Sequence, residues 1–312
     1  MAALPNQLAH EFHGHQDAIR AIRFTKSGEY CLTCSADKTV RLWNPHRGLG
    51  IKTYKGPGQE VLDATAAHDN GRIICGGRDK VVYLLDVSTG QPIRKYRGHY
   101  GAINCVKFNE ESSVIITGSY DSTVRVWDCK SRTYDPIQVM EEAKDSITSL
   151  FVSNHEILTG SVDGKARRYD IRFGKLFSDT VGQPVTSVSL SRDGLCVLVS
   201  SLDNHIRLLD KENGELLNTF KGHSNTEYKI DSSLTHDDSH IVSGSEDGKI
   251  YFWDLVEGNV VQTLKQSQSS SCIVYSLSYH PNSACLLSAG SEGPVKVWKR
   301  QEDMKEDEDE DD

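Results

Sequence analysis

At 312 residues, 37% hydrophobic and 25% charged, the chain has the composition of an ordinary soluble protein and can bury a sizeable core. No apolar run approaches the ~20 residues of a membrane span, and Met-Ala-Ala-Leu-Pro lacks the basic segment and apolar stretch of a secretory leader, so an intracellular protein off the membrane is expected. Of the net charge of −9, −8 sits in the last eleven residues, with nine acidic side chains and one lysine; the other 301 carry 34 basic against 35 acidic groups, no footprint for direct nucleic-acid binding.

The first predicted element is a strand over Leu8–Phe12, ahead of Gly14-His15. Ile93–Tyr96 stands in the same place before Gly98-His99, and Leu216–Phe220 before Gly222-His223. Between and beyond them runs a segment repeated seven times: TCSADKTVRLWN (33–44), CGGRDKVVYLLD (75–86), TGSYDSTVRVWD (117–128), TGSVDGKARRYD (159–170), VSSLDNHIRLLD (199–210), SGSEDGKIYFWD (243–254) and SAGSEGPVKVWK (288–299). The acidic residues at its fifth position, Asp37, Asp79, Asp121, Asp163, Asp203, Asp247 and Glu292, are 42, 42, 42, 40, 44 and 45 residues apart. Such a period marks a repeat architecture.

Within each copy the pattern has period two. In the third it predicts strands over Ala102–Phe108, Val114–Gly118, Thr123–Asp128 and Pro136–Met140, separated by turn residues. Four antiparallel strands per repeat make a propeller blade. No blade precedes the first, so Leu8–Phe12 is predicted to be the outer strand of the seventh, closing the ring with its own two ends. The expected fold is all-β: a seven-bladed propeller over residues 1–301, closed by its N-terminal strand, with 302–312 as a solvated, disordered acidic tail.

Cys31 and Cys34 have a C-x-x-C spacing, but residues three apart on a strand face opposite ways and no second ligand pair follows. They read as small buried hydrophobes, and neither metal nor cofactor is expected. Three repeats hold a histidine, a hydroxyl, an aspartate and a tryptophan: His15, Thr33, Asp37 and Trp43; His99, Thr117, Asp121 and Trp127; His223, Ser243, Asp247 and Trp253. A catalytic triad would occur once. Three copies read instead as structural hydrogen-bond quartets that clip the inner strands to the outer loop, so no catalytic residue and no enzyme activity is expected.

Gly-His and Trp-Asp pairs at these positions resemble the WD-repeat family across residues 8–299. Pro57 stands where histidine is expected, Leu85 and Leu209 replace tryptophan and Glu292 replaces aspartate; those blades are expected to be held by packing alone. EYCLTCSADKTVRLWNP (29–45), HEILTGSVDGKARRYDIRFGKLFSD (155–179) and EDGKIYFWDLVEG (246–258) resemble more narrowly the mitogen-activated protein kinase organizer group of that family. That resemblance implies a scaffold whose partners are MAP kinase cascade components or splicing factors, found in cytoplasm and nucleus. A monomer is expected.

In such propellers the face carrying the loops into each inner strand binds partners. The repeat places Arg20, Leu62, Arg78, Tyr120, Leu202 and Tyr275 there. Tyr120 is equivalent to Ala36, Arg78, Val162, Leu202, Glu246 and Ser291, a position without a packing requirement, and aromatics and arginines dominate interface energetics. An alternative is a substrate receptor of a cullin-type ubiquitin ligase, since Tyr169-Asp170-Ile171-Arg172 fits the aromatic-Asp-x-Arg pattern of some receptors.

Overall fold

The computed structural model describes residues 4–302 apart from 268 and 270, so the expectation for the acidic tail falls, from 303 onward, outside the described residues. Among the described residues, twenty-eight strands form seven four-stranded antiparallel sheets. Blade 3 is representative, with strands Ile103–Phe108, Val114–Ser119, Val124–Asp128 and Gln138–Met140 from the inside outward. The predicted boundaries differ from these by one or two residues at strand ends, where turn residues compete.

Blade 7 takes three strands from the C-terminal end, Val274–Tyr279, Leu286–Gly290 and Val295–Lys299, and its outer strand, Gln7–Phe12, from the N-terminal end. The register pairs Phe12 with Val295 and Leu8 with Trp298, with a bulge between Leu8 and His10. Phe12 then stacks on Trp43 of blade 1, ring centroids 4.9 Å apart. The closing strand thus removes a sheet edge and fills the seam to the next blade.

Each blade buries its two faces against its neighbours. Val61, Val81 and Tyr83 of blade 2 pack with Leu32, Val40 and Leu42 of blade 1, and Trp127 of blade 3 packs with Ile74, Val82 and Tyr96 of blade 2. The glycine at the second position of the repeated segment has a packing reason in blades 2 and 3. A Cβ at Gly76 would lie 2.7 Å from Ile103, and one at Gly118 2.5 Å from Ile147, so the first inner-strand residue of the next blade seats directly on the glycine.

Cys31 packs with Phe12 and Trp43 on the blade 7 side, and Cys34 with Val61 and Val81 on the blade 2 side. Both are free and buried, and burial pushes both thiols well above their ordinary range.

Candidate functional site

The first two quartets form complete chains of bonds. His15 Nδ1 lies 2.8 Å from Asp37 Oδ2, His15 Nε2 is 2.7 Å from Thr33 Oγ1, and Trp43 Nε1 donates to Thr33 Oγ1 over 2.9 Å. His99, Thr117, Asp121 and Trp127 repeat this at 2.8, 2.7 and 3.0 Å. Burial raises the Asp121 carboxyl, but the bonds from His99 and Thr123 outweigh it and hold the group well below the carboxylate range. An ionised Asp121 accepts only, so His99 Nδ1 carries the proton and Nε2 accepts from Thr117. The Asp37 carboxyl is lowered in the same balance, with Thr39 and His15 as donors.

Thr39 and Thr123 are members the sequence reading missed. Each lies two residues after its aspartate and donates to Oδ1, at 2.6 and 2.7 Å. Their signal is that only these two repeats pair the Gly-His with Asp-x-Thr. Gly98 is needed because a Cβ there would stand 2.8 Å from Arg125 and 3.1 Å from Trp127. Thr33 and Thr117 are fully buried with their oxygens occupied by histidine and indole, a clip rather than an exposed nucleophile.

The third quartet does not form, contrary to expectation. Asp247 Oδ2 accepts from Tyr251 Oη at 2.7 Å, Ser243 Oγ bonds the carbonyl of Gly244 at 3.0 Å, and Trp253 Nε1 bonds the carbonyl of Lys221 at 2.8 Å. Both ring nitrogens of His223 are buried without a hydrogen-bond partner. Burial and then His205 push its pKa down to about 4.

Nor are the remaining blades held by packing alone. The residue four after the aspartate takes over where histidine is missing: Tyr83 donates to Asp79 at 2.8 Å, and Arg167 and Arg207 reach Asp163 and Asp203 at 2.6 and 2.5 Å. In blade 7 Gln266 stands in for histidine. Trp298 Nε1 bonds Ser288 Oγ at 2.8 Å, which bonds Gln266 Oε1 at 2.5 Å.

On the top face the turn residues share one backbone bond to the loop ahead of the inner strand: Arg78 N to Glu60 O, Tyr120 N to Ala102 O and Leu202 N to Pro184 O, at 2.8–3.0 Å. The blade fixes the backbone there and leaves the side chain variable. Glu60, unforeseen in the sequence, joins Arg20 of blade 1 and Arg78 of blade 2 in ion pairs. Arg20 also lies over the Tyr275 ring, 5.0 Å from its centroid, and Tyr228 lies 5.8 Å from Tyr275. Arg20, Arg78 and Tyr275 therefore form one cluster across blades 7, 1 and 2. No hydrogen bond, ion pair or ring contact among the described residues joins Tyr120 to it. Tyr120, 69% exposed, forms a second patch on blade 3 with Tyr100, 81% exposed. Leu62 and Leu202 are half-buried on blades 2 and 5. Arg172 folds back on Asp170, 3.3 Å between Nη2 and Oδ2, beside exposed Phe173.

The profile of the WD domain, G-beta repeat matches residues 6–44 and 258–299, and that of the nucleolar protein 10-like N-terminal β-propeller matches 59–242. The chain is 53% identical to WD repeat domain-containing protein 83 of Homo sapiens over 286 residues, 92% of this chain and 90% of the relative. The chain belongs to the WD-repeat family. The Rattus norvegicus protein of the same name is 52% identical over the same shares, and a Dictyostelium discoideum homolog is 31% identical over 92% of this chain and 96% of its own. WD-repeat propellers are platforms for protein–protein contact, and membership is consistent with a scaffold or adaptor role. No helix among the described residues is long and apolar enough to cross a membrane.

Proposed function

We propose that this WD-repeat protein is a non-catalytic scaffold whose top face gathers components of MAP kinase modules, spliceosomal complexes or both, in the cytoplasm and the nucleus. The observation that carries the proposal is the top face itself. Exposed Tyr120 and Tyr100, and the Arg20–Glu60–Arg78 bridge capped by Tyr275, occupy positions the blade framework does not require. The family resemblance supports the class of partner.

The test is copurification from cell extract with Tyr120→Ala and Arg78→Ala combined. Surface changes of this kind alter stability by ~0.5 kcal/mol or less, whereas interface anchors are worth ~2 kcal/mol or more in binding. The double variant is expected to melt like the parent and lose at least one kinase or splicing partner, while Lys26→Ala with Lys130→Ala, on exposed lysines away from that face, keeps all of them. A full partner list on the face variant would move the binding surface elsewhere. Recovery of a cullin adaptor, lost on Arg172→Ala, would favour the ubiquitin-ligase receptor instead.

A further inference from the structure

The inner strands place one equivalent residue per blade around the central channel. The register aligns Arg23 with Leu32, Lys107 with Ile116, Ser189 with Leu198 and Ser233 with Val242, the same rung in four blades. These four residues line a cavity of ≈ 280 Å³, together with Asp63, Asp231 and Lys229. The charges do not balance locally. Arg23 takes both carboxylates, with Nη1 2.7 Å from Asp231 Oδ2 and Nη2 3.2 Å from Asp63 Oδ1. Asp63 Oδ2 also accepts from Val106 N, and Asp231 Oδ2 from Ser276 Oγ.

Two ammonium groups remain. Lys229 Nζ has a long contact, 3.4 Å, to the carbonyl of Asn104, and neither Lys229 nor Lys107 has a carboxylate within 4.0 Å among the described residues. Burial and then the Arg23 charge hold the Lys107 ammonium below lysine's ordinary range. In the same lining the hydroxyl oxygens of Ser189 on blade 5 and Ser233 on blade 6 are buried without a hydrogen-bond partner. Unsatisfied buried hydroxyls and half-buried ammoniums without a carboxylate partner are each unfavourable, and both are relieved by the same addition.

We propose that the central channel binds a small tetrahedral oxyanion of the phosphate type, held by Lys107 and Lys229 and by hydrogen bonds donated from Ser189 and Ser233. Two ammoniums supply charge-assisted donors, two hydroxyls supply neutral ones, and the serines are short enough to leave the volume free. The site is separate from the top face and does not depend on it.

Calorimetric titration of inorganic phosphate into the full chain, against sodium chloride at equal ionic strength, tests this. A saturable one-site heat with phosphate and none with chloride is expected. Lys107→Met should weaken the binding about tenfold or more, the loss of one charge-assisted hydrogen bond. Ser189→Ala with Ser233→Ala should weaken it several-fold while the melting temperature in chloride is kept. If Lys107→Met does not fold, the serine pair decides. Absence of saturable heat with the parent chain overturns the proposal, as does phosphate binding unchanged in every folded variant.

Discussion

Blades 3 and 6 both carry a histidine, a hydroxyl, an aspartate and a tryptophan, but His223 stands 24 residues before Asp247 where His99 stands 22 before Asp121, and only blade 3 makes the bonds. In blade 3 the path from Asp121 through His99 and Thr117 to the Trp127 indole is unbroken. In blade 6 every one of the four residues has turned to another neighbour or has none. Two residues more between His223 and Asp247 shift the histidine, and the neighbours of the quartet differ as well. Thr123 secures Oδ1 of Asp121 where blade 6 has Lys249, and Tyr251 offers Asp247 a phenol where blade 3 has Arg125. A hydrogen-bond chain is thus specified by its competitors as much as by its members.

The two blades should still respond alike to loss of packing. Trp127 and Trp253 are both fully buried, so Trp127→Ala and Trp253→Ala are each expected to destabilise by ~3–5 kcal/mol in denaturant unfolding. A difference much larger than the spread would mean that the bonds, not the buried indoles, carry these positions.

Histidine separates them. His99→Leu strips a donor from an ionised aspartate and takes from the Thr117 hydroxyl its shortest hydrogen bond, with an expected loss of about 2–4 kcal/mol. His223→Leu removes two buried ring nitrogens that bond nothing, and at pH 7 stability should stay within ~0.5 kcal/mol of the parent or rise. Equal losses at the two sites would remove the distinction between the blades.

The architecture was open to reading because seven copies report the same period, and the closing strand followed from counting outer strands before Gly-His. The quartets of blades 1 and 3 were also legible, since glycine, histidine and threonine each have a steric or bonding reason at that spacing. Blade 6 misled although His223 stands two residues further from its aspartate than His15 and His99 do from theirs, and the capture of Asp247 by the Tyr251 phenol shows only as a distance. Pairings between blades were hidden for another reason. Arg23 meets Asp231 across 208 residues, and Glu60 bridges two arginines on different blades, contacts that ring closure creates and no local pattern records.

Acid should expose the same difference. His223 has its folded pKa lowered to about 4 from 6.5, so on acidification the unfolded chain takes up the proton first. Its contribution is flat above pH 6.5 and stability falls as pH drops towards 4. Between pH 6.5 and 5.5 the loss from this residue is about 1 kcal/mol. His280, also lowered to about 4 chiefly by burial, adds a parallel loss, so the parent and His223→Leu must be compared and the gap between their pH curves read. Parallel curves would mean that His223 is solvated or partnered.

The smallest effect is the most discriminating, because it tests whether the competitors alone hold blade 6 apart. Ser243→Thr, Lys249→Thr and Tyr251→Phe together give blade 6 the hydroxyls of blade 3 and withdraw the phenol from Asp247. Phenylalanine keeps the aromatic stack on Trp253, whose centroid lies 5.7 Å from that of Tyr251, so packing changes little. Threonine at 243 adds a β-methyl that restricts χ1 and disfavours the turn of the hydroxyl towards Gly244. Freed Asp247 is then the acceptor nearest in the repeat geometry, and His223 Nδ1–H should donate to it as His99 does to Asp121. One donor to the Asp247 carboxylate is exchanged for another, so the net gain is ~0.5–1 kcal/mol at most, near the limit of unfolding measurements. The His223 proton resonances report it more directly. An ionised aspartate favours the imidazolium, so the pKa of His223 should climb by about one unit or more and the acid loss should shrink with it. A titration midpoint still near that of the parent would show that the backbone of blade 6, not its side-chain competitors, keeps the quartet open.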